Sequence, residues 1–180
     1  MKHVSRIFSG LILGLAVSFS SLAVAAESTY LVSPNYGESL EAMVKNGRYD
    51  FVNPALLPDN FPVERSGKAA AVTLVELDNF DGIPTAAQAE ELLAQRGYRP
   101  ATLAELLALG AKYPEAQANA TIIALGTKWK TPAGHMAVPA LTGMKVTRSG
   151  GTIVSVRQLE VFGAGVLGWR TNIKFAAVKK

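Results

Sequence analysis

The chain has 180 residues, of which 49% are hydrophobic and 18% charged, with a formal net charge of +4 at pH 7. This length and composition predict a globular domain with a sizeable core. The sequence has no cysteine and only two histidines, His3 and His135. Disulfides, cysteine nucleophiles and cysteine or multi-histidine zinc sites are therefore excluded.

Residues 1–26 have the pattern of a secretory signal peptide. Lys2 and Arg6 form a basic start, the rest of the segment is uncharged, and it ends in small residues. We expect cleavage after Ala25 or Ala26 and a periplasmic or secreted protein; an uncleaved membrane anchor is the alternative. No second long apolar run follows, so we expect no membrane span after cleavage.

Cleavage would leave a chain whose charges nearly balance. Lys2 and Arg6 carry two of the four net positive charges, so about +2 remains. Because no basic run is present, nucleic acid is not an expected partner. We expect no cofactor and no metal, although a calcium site built from oxygen ligands stays open.

Two segments of different character follow the signal peptide. Residues 27–68 contain several prolines with apolar residues between them and predict an extended N-terminal arm that packs on the domain, with one short helix over 37–46. Residues 69–180 predict the globular domain. It begins with a β-branched, apolar strand over Ala69–Leu77.

Two helices are expected after this strand. In two places a threonine precedes Gln or Glu by three residues, a pattern in which the side chains bond free backbone N–H groups at a helix start. The first helix should end at Gly97, a residue that suits a left-handed stop. The two capping boxes are Thr85 with Gln88 and Thr102 with Glu105.

From residue 121 the pattern changes to strands. The order of strand, two helices and then several strands predicts an α+β fold in which two helices pack on a mostly antiparallel sheet. The predicted strands are Thr121–Leu125, Thr127–Lys130, Met136–Leu141, Met144–Arg148, Thr152–Val161 and Thr171–Val178.

Three segments resemble a family of uncharacterised bacterial proteins. They are Arg99–Ala111 (RPATLAELLALGA), Ile122–Gly126 (IIALG) followed by Trp129, and Phe175–Lys180 (FAAVKK). The resemblance covers about residues 69–180 and brings no activity with it.

The element order is also similar to C-type-lectin-like folds, in which the first and last strands pair. This similarity implies pairing of Ala69–Leu77 with Thr171–Val178. The disulfides and the calcium-binding signatures of animal lectins are missing from this chain.

Four residues are candidate ligand contacts. Trp129 and Trp169 form a stacking platform if they are exposed together, and core if they are buried. Arg170 lies beside Trp169 in a glycine-rich loop, and His135 follows a Pro-Ala-Gly turn. The glycines of 163–168 match G-x-G-x-x-G, but no βαβ unit fits there, so we expect a loop between strands.

Charged residues offer two further patterns. Glu76, Asp78 and Asp81 cluster at a strand end and predict either a solvated turn or an acid–base pair for glycan hydrolysis. Arg157 interrupts an apolar strand, which indicates a bulge or a buried ion pair.

The function that these patterns favour is an exported, non-catalytic binding or interaction protein of the bacterial cell envelope. Its partner would be an envelope protein or a glycan, and a homo-oligomer is possible. Two alternatives remain open: a periplasmic or secreted glycan hydrolase that uses carboxylates, and a structural assembly subunit that docks through residues 27–68.

Overall fold

The computed structural model describes residues 27–64, 66–77, 85–165 and 172–180. This described part has an α+β fold with three α-helices, a short 3-10 helix and one mixed sheet. The helices are α1 (Leu40–Gly47), α2 (Ala86–Gln95), α3 (Leu103–Lys112) and the 3-10 helix Pro114–Gln117. The strands are β1 (Ser28–Val32), β2 (Phe51–Val52), β3 (Ala70–Val75), β4 (Tyr98–Pro100), β5 (Thr121–Ile123), β6 (Trp129–Lys130), β7 (Met136–Thr147), β8 (Ile153–Gly163) and β9 (Ile173–Lys179).

The sheet has the order β1-β3-β9-β5-β7-β8-β2, with β4 paired to β9 and β6 paired to β7. The expected pairing of the first domain strand with the last is confirmed, because β3 and β9 are antiparallel neighbours. Two parallel pairs, β5 with β9 and β2 with β8, make the sheet mixed. The α+β class is confirmed.

The fold-class prediction of two helices is wrong in number, because the described part has three; the third, α1, confirms the short helix expected over 37–46. Ser39 caps this helix by accepting a hydrogen bond from the Ala42 N–H at 3.2 Å, and Leu40 and Met43 are buried. A helix of eight residues is too short to be stable alone, so its packing against α3 sustains it.

Both predicted capping boxes are confirmed at the starts of α2 and α3. In each, the threonine side chain accepts from the backbone N–H three residues later, and the Gln or Glu side chain accepts from the threonine N–H. Gly97 follows α2 with φ +80°, as a left-handed stop requires.

The described part of residues 27–68, predicted as an arm, contains β1, α1 and β2. β1 pairs with β3 and β2 pairs with β8, so both ends of the sheet come from this segment. Val32, Leu56 and Phe61 are buried in the same core cluster as Leu106 of α3. The segment therefore shares the core of residues 69–180.

β7 is one continuous strand, where the sequence predicted a break between residues 141 and 144. Gly143 lies within this strand, where it packs closely on the 3-10 helix: a Cβ at this position would lie 2.2 Å from the Gln117 carbonyl oxygen. The glycine permits a close backbone approach rather than ending the strand.

Two core clusters lie on opposite faces of the sheet. Neighbouring residues of one strand are divided between them: Leu141 belongs to the cluster with α1 and α3, and Ala140 to the cluster with α2. The same holds for Ile122 and Ile123 of β5. The sheet is thus the middle layer, covered by α1 and α3 on one face and by α2 on the other.

Candidate functional site

A cavity of about 840 Å³ lies where the β7–β8 hairpin meets the start of α2. We call it the base cavity. Two backbone bonds hold its wall together: the Ala86 N–H donates to the Ala164 carbonyl at 3.0 Å, and the Ala164 N–H donates to the Met136 carbonyl at 2.7 Å. It is lined by Thr85, Ala86, Ala87, Thr121, Lys128, Gly134, His135, Met136, Val161, Phe162, Gly163, Ala164 and Gly165.

Small and apolar residues make up most of this lining. Three glycines, three alanines and three larger apolar side chains leave Lys128 and His135 as the ionisable groups among the described lining residues. Lys128 is paired with the carboxylate of Glu90 on α2. The cavity can therefore take an apolar group, with one imidazole and one neutralised ammonium at its border.

Two of the first N–H groups of α2 are occupied within the fold. The Gln88 N–H donates to the Thr85 hydroxyl, and the Ala86 N–H donates to Ala164. This helix start is thus engaged by its own chain.

The four predicted ligand contacts are not all brought together. His135 is exposed and lines the base cavity. Trp129, from the adjacent strand β6, is half-buried and packs on Phe61, with ring centroids 5.8 Å apart. Trp169 and Arg170 lie outside the described residues.

The predicted carboxylate cluster is described only at Glu76. Its Oε1 lies 2.8 Å from the Lys174 ammonium, and its backbone carbonyl accepts a hydrogen bond from Arg96 at 2.9 Å. Asp78 and Asp81 lie outside the described residues.

Arg157 matches neither of its two predicted roles. The β7–β8 register is unbroken past this residue, so no bulge occurs. Its guanidinium donates to the carbonyl oxygens of Gly47 at 2.7 Å and Gly110 at 2.6 Å, rather than pairing with a carboxylate. The Tyr49 ring stacks against it at 5.1 Å, and burial raises the pKa of Tyr49.

A buried carboxylate is part of a helix cap. Glu105 is 2% exposed and accepts two hydrogen bonds from the Arg99 guanidinium, at 2.7 and 2.9 Å, besides one from the Thr102 N–H. These bonds raise the pKa of Arg99. A cavity of about 590 Å³ borders the pair, whose charges are neutralised by each other.

Sequence reasoning missed Lys128, Met136 and the glycines 163 and 165 as parts of one cavity wall. The one available signal was the glycine-rich segment after β8, which indicated a loop but gave no partner. The wall forms only when α2, the β6–β7 turn and the end of β8 meet.

Comparison with family models, curated proteins and solved structures found no match to this chain. Among the helices of the described ranges, none has both the length and the apolar character needed to cross a bilayer.

Proposed function

We propose that the protein is an exported, non-catalytic binding protein of the bacterial cell envelope, and that its ligand occupies the base cavity. The observation that carries the proposal is a cavity of about 840 Å³ with a mainly apolar lining. Small-molecule sites typically enclose about 300–1,000 Å³, are mainly apolar and carry a few polar groups that orient the ligand. His135 and Lys128 supply such groups here.

The ligand that suits this cavity is a compound with an apolar part and at least one hydrogen-bonding group. Glu105, which is buried, and Arg157, which is half-buried, are both engaged at helix ends within the fold, which supports a binding role over a catalytic one for these side chains. The C-type-lectin-like interpretation belongs to the same proposal. The β3–β9 pair with α2 and α3 between these strands in the chain supports it.

The test alters the border of the base cavity with Gly163→Leu. Gly163 lines the cavity, and a Cβ there meets no atom within 4 Å, so the fold has room for a leucine at this border position. Gly37→Leu is the matched control, since a Cβ there meets only Asn35 Oδ1, at 3.5 Å, and Gly37 does not line the cavity.

We expect the fluorescent probe anilinonaphthalene sulfonate to bind the wild type and Gly37→Leu saturably, and to bind Gly163→Leu at least tenfold more weakly. Fractions of a cell-envelope extract should displace the probe without being chemically altered. Equal probe binding by Gly163→Leu, or conversion of the displacing compound, would contradict the proposal.

The same assay tests the prediction for the loop after β8. Trp169→Ala and Arg170→Ala should weaken displacement by the active extract fraction if these side chains contact the ligand. Unchanged displacement by both variants would remove them from the site while leaving the cavity proposal intact.

A further inference from the structure

The outer half of the β7–β8 hairpin carries apolar side chains that the core does not use. Met144 pairs with Val156, and Val146 pairs with Val154, so all four side chains share one face of the ribbon. Met144 is 43% and Val146 37% exposed, and the two valines of β8 are partly exposed. We call Met144, Val146, Val154 and Val156 the hairpin strip.

The strip continues the sheet face that α2 covers. Val138 and Ala140, on the same face of β7, are buried in the cluster with α2. Thr142 follows and bonds to Gln158 across the pair, and the strip begins at the next residue on that face. Within the described part, this face is therefore covered at its base and open at its outer end.

The charged residues of the outer hairpin segment itself have one sign. From Met144 to Arg157 the sequence has three basic residues and no acidic one. Arg157 is engaged with helix carbonyls, so the exposed cations of the outer hairpin are Arg148, after the end of β7, and Lys145, which pairs with Ser155 on the opposite face of the ribbon from the strip. An occupant of complementary chemistry is anionic and offers an apolar layer.

These observations favour a lipid surface over a protein. A stable specific protein interface buries about 800 Å² on each partner, far more than four partly exposed aliphatic side chains offer. A second copy of the chain, seated strip to strip, would bring its Lys145 and Arg148 against the same cations. An anionic bilayer needs neither a large area nor a shaped partner, because charge attraction adds to shallow apolar insertion.

The geometry of the β7–β8 ribbon is compatible with shallow insertion at the level of the lipid headgroups. Arg157 directs its N–H and C=O toward Asp50, which places the same groups of Ser155 on the outer edge of β8, two residues away. Water at the headgroup level can bond to these edge groups while the strip faces the acyl chains. Long side chains such as Lys145 and Arg148 can reach the headgroups from the ribbon.

We propose that the hairpin strip docks the protein on anionic lipid bilayers, with Lys145 and Arg148 contacting the headgroups. This inference does not depend on the ligand of the base cavity. It assigns a surface role to the outer hairpin, whose apolar side chains contribute little to the core.

The absence of cysteine allows a local test. Val146→Cys receives a polarity-sensitive fluorophore, and Leu57→Cys is the control at an apolar side chain that is 53% exposed outside the strip. Both are titrated with phosphatidylcholine vesicles that contain, or lack, one third phosphatidylglycerol. We expect a blue shift, and quenching by spin-labelled lipid, at position 146 on the anionic vesicles alone, and neither at position 57.

A charge variant completes the test. Lys145→Gln with Arg148→Gln, introduced into labelled Val146→Cys, should weaken anionic-vesicle binding more than tenfold, since each cation near such a surface contributes about fivefold. The proposal would be overturned by no shift at position 146, by equal shifts at both positions, or by equal vesicle binding with and without the two charge substitutions. A shift caused by polyglutamate but not by vesicles would also overturn it and indicate an acidic protein partner.

Discussion

The guanidinium of Arg157 joins two helix ends that are far apart in the sequence. It donates to the carbonyls of Gly47, at the end of α1, and Gly110, in the last turn of α3. Carbonyls at helix ends have no partner within the helix, and a cation there also suits the helix dipole. The sequence indicated only that a charged residue, Arg157, interrupts an apolar strand. Its acceptors could not be predicted, because both are far away in the chain.

Arg157→Met should destabilise the fold strongly. The variant keeps the apolar stem but leaves buried carbonyls without donors, which we expect to lower the free energy of unfolding by about 3 kcal/mol or more. Urea unfolding followed by circular dichroism measures this change. Arg148→Met, at an exposed position, should stay within about 0.5 kcal/mol of wild type. A similar small effect for Arg157→Met would contradict the assigned role.

The burial of Tyr49 predicts that the fold loses stability at alkaline pH. Its hydroxyl is buried and has no hydrogen-bond partner among the described residues, and this burial raises its pKa above the ordinary value of 10.0. Above about pH 10 the unfolded chain ionises this group while the folded chain keeps it protonated. The contribution of Tyr49 to the free energy of unfolding is therefore fully present below that pH. It is lost as the pH rises through the pKa of Tyr49 in the folded state.

Tyr49→Phe should reduce this alkaline loss of stability. At pH 7 the variant should lie within about 1 kcal/mol of wild type, because it removes a buried hydroxyl that has no partner. Urea unfolding at pH 7 and at pH 10.5 separates the two effects, with Tyr30→Phe as the control at a half-buried tyrosine. Parallel pH dependence in wild type and Tyr49→Phe would show that the buried hydroxyl does not cause the loss.

At the scale of elements, local signals located α2 and α3 well. A capping box acts between residues three apart, and Gly97 acts through its own φ angle, so both signals can be found in a short stretch of chain. The strands were less certain. The prediction ended one strand at Leu141 and began another at Met144, because the packing partner of Gly143, the 3-10 helix Pro114–Gln117, is remote in sequence.

An added methyl group should change the stability of the fold very differently at two glycines of the β7–β8 hairpin. Gly143→Ala places a Cβ 2.2 Å from a backbone oxygen, whereas Gly163→Ala places one in open space. We expect Gly143→Ala to cost about 1–3 kcal/mol through overpacking, and Gly163→Ala to stay within about 0.5 kcal/mol. Thermal and urea unfolding measure both. Equal stabilities would mean that the 3-10 helix does not press on β7.

At the scale of the whole molecule, both ends of the sheet are built from the segment before residue 69. β1 completes one edge beside β3, and β2 completes the other beside β8. Phe61 is fully buried beneath Trp129, which joins this segment to the β6–β7 hairpin. We therefore expect the segment and the rest of the chain to unfold together.

Phe61→Ala tests this coupling. The loss of a fully buried ring should lower the free energy of unfolding by about 3–5 kcal/mol while the unfolding transition stays single. Phe51→Ala is the matched control, because that ring is 42% exposed and should cost less than half as much. A cost near zero for Phe61→Ala, or two separate transitions, would instead favour a loosely attached arm.

The sequence by itself determined the features that depend on neighbouring residues: the caps of α2 and α3, the β3 strand, the strand-rich second half and the exclusion of cysteine chemistry. The tertiary structure decided which distant segments meet. It placed β9 between β3 and β5, inserted β1 and β2 at the sheet ends, and assembled the base cavity from the start of α2, β5, the β6–β7 turn and the end of β8. The physical reason is range, since a cap or a turn forms within a few residues, whereas the sheet order depends on pairing between residues more than a hundred positions apart, such as Phe51 and Gln158.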